Sequence, residues 1–189
     1  MISIENKKRS PEKLKTAWPN AVILDVTSKG PLPWVKFSPF YPHGDIPVPN
    51  CSYRAASVEG LWQGLKVFEQ EDIDLKTIDN RTMKNIKRTV RKHGPVKGHR
   101  FGVGAADILP YIEARFNIYL PAYRWVLDNK LQAEIAEIKK LMQSNDVVLL
   151  DYETNTDPFN TAKPLSHAGL IQKYIQDEWP HQITPASIP

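Results

Sequence analysis

The chain has 189 residues, of which 41% are hydrophobic and 24% charged, with a formal charge of +4. Those values describe one globular domain with its own core, and they exclude a disordered chain. A single cysteine, Cys51, excludes an internal disulfide framework and a multi-cysteine metal site, and it favours a reducing setting.

The N-terminal MISIENKKRSPEKLK carries charge with no apolar h-region behind it. No apolar run approaches the roughly 18 residues of a membrane-crossing helix. A soluble, cytoplasmic protein with no membrane partner is expected; oligomeric state is left open. Sixteen prolines against nine glycines predict stiff connections and long ordered loops.

Residues 10–18 predict a short helix, with Ser10 as cap and Pro11 at the first helical position. Residues 21–27, AVILDVT, read as a buried strand, and Trp34–Phe37 as a second, shorter one. The proline-rich stretch 38–50, which holds Phe40 and Tyr41, reads as a loop, since proline removes ladder donors. Ser57 caps a predicted helix over 58–69, with Val58, Leu61, Trp62, Leu65 and Phe68 on its apolar face. Residues 79–92 predict a helix with a basic outer face, and 98–104 a glycine-bearing loop without GxGxxG spacing. Helices follow over 107–119 and over 121–143, the latter one long helix or two. Residues 147–150 are a strand or the end of a helix, 151–158 an acidic loop, and about 165–177 a last helix. A tail over 180–189 closes the chain. The sum is an α+β fold: a mostly helical single domain over 1–189 with a small N-terminal β-sheet.

The polar side of helix 58–69 is unusual. Glu59, Gln63 and Lys66 stand at i, i+4 and i+7, which puts them on one helical face. That stripe is either a solvated face, with Glu59 complementing the helix dipole, or a face turned into a cleft. Residues 81–100 hold eight Lys and Arg and no acid, which points to an anionic ligand or to a plain solvated surface. Tyr111, Arg115, Tyr119, Tyr123, Arg124 and Trp125 form an Arg-aromatic belt that suits helix packing or a nucleic-acid surface. His93 and His99 flank a Gly-Pro turn with no further ligand nearby, so no metal is expected. Asp151, Glu153 and Asp157 either close a site or offset the basic block. For His167, at a helix start, a structural hydrogen bond is the default.

Two of these stretches carry a family resemblance. Phe37-Ser-Pro-Phe-Tyr-Pro42 resembles the F-S-x-F-Y-P opening of the NADAR (NAD and ADP-ribose associated, YbiA-like) family. The Glu59, Gln63, Lys66 spacing, with Ser57 before it and Phe68 after it, is similar to that family's S-E-H-x-x-Q-x-x-K-F helix. Together they cover about the first third of the chain. Gly60 stands where the family has His, and Asp157-Pro-Phe-Asn160 lacks the Trp-Gly pair of its late D-x-x-W-G element. The chain thus resembles a divergent member.

The resemblance implies a YbiA-like fold and a cofactor-free N-glycosidase. Its partner would be an ADP-ribose-bearing small molecule or an ADP-ribosylated nucleic acid, or its substrate a ribosylated-base intermediate. Glu59 would sit near the sugar, Lys66 would attack C1′ and form a Schiff base, and Asp157 would complete the catalytic set. Gln63 would orient ribose hydroxyls, and Phe40 or Tyr41 would stack on a base. Trp62 belongs either to the core or to the substrate wall. Arg88, Arg91 and Arg100 would hold a pyrophosphate, with His99 on a phosphate. The alternatives are a non-catalytic ADP-ribose or NAD-binding module and a basic DNA- or RNA-binding accessory protein.

Overall fold

The computed structural model describes residues 1–181. Of the expected tail over 180–189, residues 182–189 lie outside the described residues. The chain begins with β1 (Ile2–Asn6) and α1 (Pro11–Ala17), where the Ser10 hydroxyl accepts the Lys13 N–H. β2 (Val22–Asp25) lies inside the predicted strand. Trp34–Phe37 is a 3₁₀ turn rather than a strand. The Val35 and Lys36 N–H groups bond back to the Pro31 and Pro33 carbonyls at 3.0 and 3.1 Å, which takes them out of reach of a ladder.

A short hairpin, β3 (Ile46–Pro47) and β4 (Arg54–Ala55), leads into α2 (Val58–Gly64). This helix ends at Gly64 rather than continuing to 69. The buried Arg88 guanidinium takes the carbonyls of Gln63 at 3.2 Å and Lys66 at 2.6 Å, and the chain goes on as β5 (Lys66–Phe68). α3 (Leu75–Ile78) packs back on α2.

The predicted helix 79–92 is mostly irregular. Met83 and Asn85 sit at φ +60° and +57°, and the Asn80 side chain ties Thr82 and Lys84, so only α4 (Val90–His93) is helical. The expected glycine loop begins in a strand, β6 (Val96–Arg100), paired to β7 (Ile108–Leu109), and only 101–104 are turn. A Cβ at Gly98, where φ is +149°, would lie 2.4 Å from the Leu109 carbonyl oxygen, so only glycine allows that approach.

α5 (Tyr111–Ala114) passes through a π-helical stretch, Arg115–Tyr119, into α6 (Leu120–Lys130). The Leu120 N–H donates to the Arg115 carbonyl, and Pro121 has no N–H with which to close an α-turn on Asn117. α7 (Gln132–Leu141), β8 (Val147–Asp151) and α8 (His167–Ile175) complete the chain.

The small sheet is parallel, in the order β1-β8-β2, with β8 in the middle and buried along its length. The N-terminal sheet is therefore built around a strand from the C-terminal third. A second, antiparallel sheet has the order β5-β6-β7. The fold is an α+β domain of small sheets and several helices around one main core. Among the described residues, no helix is long and apolar enough to cross a membrane.

Helix α2 approaches α3 through two glycines. A Cβ at Gly64 would lie 2.3 Å from Ile78 Cγ1 and 2.9 Å from the Asp74 carbonyl oxygen, and one at Gly60 would lie 2.8 Å from the Thr77 carbonyl oxygen. Gly64→Ala is expected to destabilise the fold by about 1–3 kcal/mol through overpacking. Urea unfolding measures this, and an unchanged midpoint would contradict the packing described.

Candidate active-site cleft

A cleft of about 450 Å³ opens where β2 and β8 end, between α2, the π-helical stretch and the start of α8. The carboxyl ends of parallel strands are a common place for a ligand crevice. Two contacts fix its first wall. The Glu59 N–H donates to the Pro39 carbonyl at 2.8 Å, which joins the start of α2 to the FSPFYP stretch. The buried Tyr123 hydroxyl donates to the Phe37 carbonyl at 2.7 Å. Phe40, Glu59, Trp62, Gln63 and Lys66 all line the cleft.

The polar stripe is a hydrogen-bonded row. Gln63 Nε2 donates to Glu59 Oε1 at 2.9 Å, and Lys66 Nζ donates to Gln63 Oε1 at 3.0 Å. Lys66 reaches the row from the first residue of β5 and not from the helix. The Arg88 backbone N–H also donates to Gln63 Oε1, at 3.2 Å, so the amide can face only one way. Burial raises the Glu59 pKa above its ordinary value, although Gln63 and the lysines Lys87 and Lys66 pull it down. Burial likewise lowers the Lys66 pKa, against the attraction of Glu59. Both groups are pushed toward their neutral forms.

The other predicted site residues lie elsewhere. Arg88 is buried; its guanidinium bonds the Gln63, Lys66 and Asp72 carbonyls and stacks 4.9 Å from the Phe68 ring. It is a backbone clamp, and the phosphate role assigned to it is corrected. Arg100 pairs with Asp72 at 2.6 Å on the surface, and Arg91 is exposed on α4. Neither lines the cleft, so the three arginines form no pyrophosphate clamp there. Tyr41 tilts against His43 at 4.8 Å, outside the cleft. Asp157 is exposed and takes the Phe159 N–H at 2.9 Å, a turn-forming role away from the cleft. His99 is sealed behind Trp62, stacked on it at 3.7 Å.

In their place the cleft holds residues the sequence left ambiguous. Asp151, at the end of β8, accepts from Ser166 Oγ at 2.8 Å and from the Ala168 N–H at 3.2 Å, and faces His167 Nδ1 at 3.0 Å. His167 Nε2 faces the Val26 carbonyl at 2.9 Å. A carbonyl only accepts, so Nε2 carries a hydrogen. Burial opposes charge on both partners, but their mutual attraction and hydrogen bonds outweigh it. Asp151 is held down at about 2 and His167 is raised. His167 thus has the structural bond expected of it, and a carboxylate partner as well. The signal was an Asp closing a wholly apolar run, VVLLD, and a Ser-His pair at a helix start.

Arg115 Nη1 donates to the Pro158 and Asn160 carbonyls at 2.5 and 3.0 Å and so pins the 151–165 loop beside the cleft; its guanidinium also lies 4.8 Å from the Tyr111 ring. Tyr119, one α-like turn further on, keeps its proton, since burial raises its pKa well above the ordinary range. Lys87 lies at the cleft mouth, 5.8 Å from the Phe40 ring. The arrangement offers a carboxyl group with a raised pKa, a nearby amine with a lowered one, a fixed amide and aromatic walls.

The Asp151–His167 pair gives a signed pH dependence. His167 is raised above 6.5, so its contribution is full below that value and is lost as pH rises through the folded pKa. Asp151 is depressed below 3.8, so its contribution is present above that value and is lost as pH falls toward about 2. The stability advantage of wild type over His167→Gln is therefore expected to be largest between about pH 4 and pH 6.5, on the order of 3 kcal/mol, and to shrink above it. Urea unfolding across pH 5–9 checks this; an advantage that grew with rising pH would contradict the pairing.

No curated protein matches the chain. The sequence pattern of a family of unknown function, DUF6939, matches residues 6–171, and the chain belongs to that family.

Proposed function

We propose that the chain is a divergent NADAR-like, YbiA-like N-glycosidase. It would cleave the bond between a ribose C1′ and a base nitrogen in an ADP-ribosylated base or a ribosylated-base intermediate. The observation that carries this reading is the Glu59–Gln63–Lys66 row on the wall of a cleft faced with aromatic rings. N-glycoside cleavage builds positive charge on the sugar and negative charge on the departing base. It needs an acid that can protonate the base and a group that can meet C1′.

In this mechanism Glu59, whose pKa burial raises, gives its proton to the leaving nitrogen. The resulting carboxylate then faces the cationic sugar. The Lys66 amine attacks C1′ as the C1′–N bond breaks and its electron pair leaves with the base. The Glu59 carboxylate takes a proton from the lysine adduct and passes it to the ring oxygen as the C1′–O4′ bond breaks, which leaves a protonated Schiff base; water adds to it and releases the sugar and the amine. Gln63 holds the acid and the amine in register. Phe40 and Trp62 supply faces on which a base can stack.

A second reading is supported by the late motif. It lacks the Trp-Gly pair, and Asp157 is engaged in a turn outside the cleft. The same cleft would then bind ADP-ribose or NAD without turnover.

Incubation with ADP-ribosylated guanosine, with products read by mass spectrometry, separates the two. The expected result is release of free ADP-ribose, lowered about 10²–10⁴-fold in Glu59→Gln and lost in Lys66→Met, with both variants folded. The rate should be bell-shaped in pH. Its limbs should lie inside the ordinary values of 4.5 for Glu and 10.5 for Lys, since burial raises the first and lowers the second. Intact ligand bound without release would favour the binding module, and full activity in both variants would remove the mechanism.

A further inference from the structure

The polar groups that line the cleft divide into those the fold already uses and those it leaves free. Gln63 Oε1 accepts twice, from Lys66 Nζ and from the Arg88 N–H. Asp151 takes the Ser166 hydroxyl and the Ala168 N–H. Both ring nitrogens of His167 face an oxygen, at 2.9 and 3.0 Å. The Arg115 guanidinium holds the Pro158 and Asn160 carbonyls. These groups have little hydrogen-bonding capacity left for a ligand.

The Tyr119 hydroxyl is different. Tyr119 ends the π-helical stretch, is half-buried and lines the cleft. Its ring is held on two sides. It lies near-parallel to the Tyr123 ring at 6.4 Å, with planes 10° apart, and meets the Trp62 ring edge-on at 5.7 Å. Among the described residues, none hydrogen-bonds to its hydroxyl. That oxygen is not sealed in the core as the two His99 nitrogens are, so its open side is the cleft.

The hydroxyl keeps its proton, because burial and then the nearby Glu59 and Asp151 carboxyl groups raise its pKa well above the ordinary range. It is a donor on a fixed ring, beside two acids. A ligand group that meets it must accept a hydrogen bond and stand next to carboxyl groups without repulsion. A sugar hydroxyl does both, and a phosphate does not. The phosphate end of a ligand is better placed at the cleft mouth, where Lys87 is exposed and has no ion-pair partner among the described residues.

We propose that Tyr119 is a specificity-determining residue that donates to a sugar 2′-hydroxyl and so selects ribosyl over 2′-deoxyribosyl ligands. The 2′-hydroxyl stands on the carbon next to C1′. An acid that reaches the leaving nitrogen on C1′, with a phenol beside that acid, brackets it. This rests on the reading of the cleft as a site for a ribosylated base, but it does not require turnover.

The test uses the whole protein and Tyr119→Phe, with AMP, GMP and their 2′-deoxy counterparts as probes. By calorimetry, wild type is expected to bind the better ribonucleotide about tenfold more tightly than its deoxy counterpart, the effect of one neutral hydrogen bond in a buried site. In Tyr119→Phe the ribonucleotide should weaken to the level of the deoxynucleotide, whose own affinity stays the same. The thermal midpoint should not fall, since the hydroxyl has no protein partner to lose. Equal binding of the two forms by wild type overturns the proposal, as does discrimination that survives in Tyr119→Phe. Equal weakening of both forms, or a midpoint lowered by several degrees, marks the hydroxyl as structural and overturns it too. So does the absence of any probe binding by wild type at millimolar concentration. If the N-glycosidase reading fails instead, wild type releases no ADP-ribose from ADP-ribosylated guanosine, while the Tyr119-dependent discrimination remains.

Discussion

A buried guanidinium decides where helix α2 stops. Arg88 donates to the carbonyls of Gln63, Lys66 and Asp72, and its own backbone N–H goes to the Gln63 side chain. The carbonyls at the end of a helix have no partner within it, and an internal cation is a strong substitute. Once those carbonyls are taken, Lys66 leaves the helix and begins a strand. It still returns to Gln63 because the turn is tight. Without Arg88 the row that faces the cleft would have neither its fixed amide nor its lysine in reach.

The cleft holds two acid–base pairs in which burial opposes charge alike, with opposite outcomes. Asp151 and His167 touch at 3.0 Å and have further donors and acceptors around them, so each is shifted toward its charged form in a buried place. Glu59 and Lys66 do not touch, and each meets only the Gln63 amide within the row. Attraction through an intervening amide is too weak to offset desolvation, and both groups move toward neutrality. A direct ion pair stiffens one wall, while on the other the acid and the amine are each shifted toward the neutral form. That division is what one cleft needs if it is to hold its shape and also move protons.

Much of the first wall was legible in the sequence, for local reasons. Glu59 and Gln63 are four apart on a real helix, and Ser57 caps it as its residue type predicts. Lys66 joins the row although the helical period runs out before it, because it reaches Gln63 from the first residue of β5. What lay hidden depends on long-range contacts. β1 pairs with a strand some 145 positions away, through Ile2 and Val147, and nothing in ISIEN announces it. A count of cations over 81–100 cannot tell that Arg88 points inward, or that Arg100 is matched by Asp72. Glycines made 98–104 look like a loop, whereas Gly98 is there to let two strands close up. Arg115 and Tyr119 fit helix packing and ligand binding equally well until the π-helical stretch turns them to the cleft.

The proposed chemistry requires Lys66 to meet the sugar. The most direct measurement is borohydride reduction during incubation with ADP-ribosylated guanosine, followed by peptide mapping. A reduced sugar adduct is expected on Lys66, and none on the exposed lysines Lys84 and Lys92. Release of the base with no adduct at Lys66, or an adduct spread evenly over surface lysines, would contradict it.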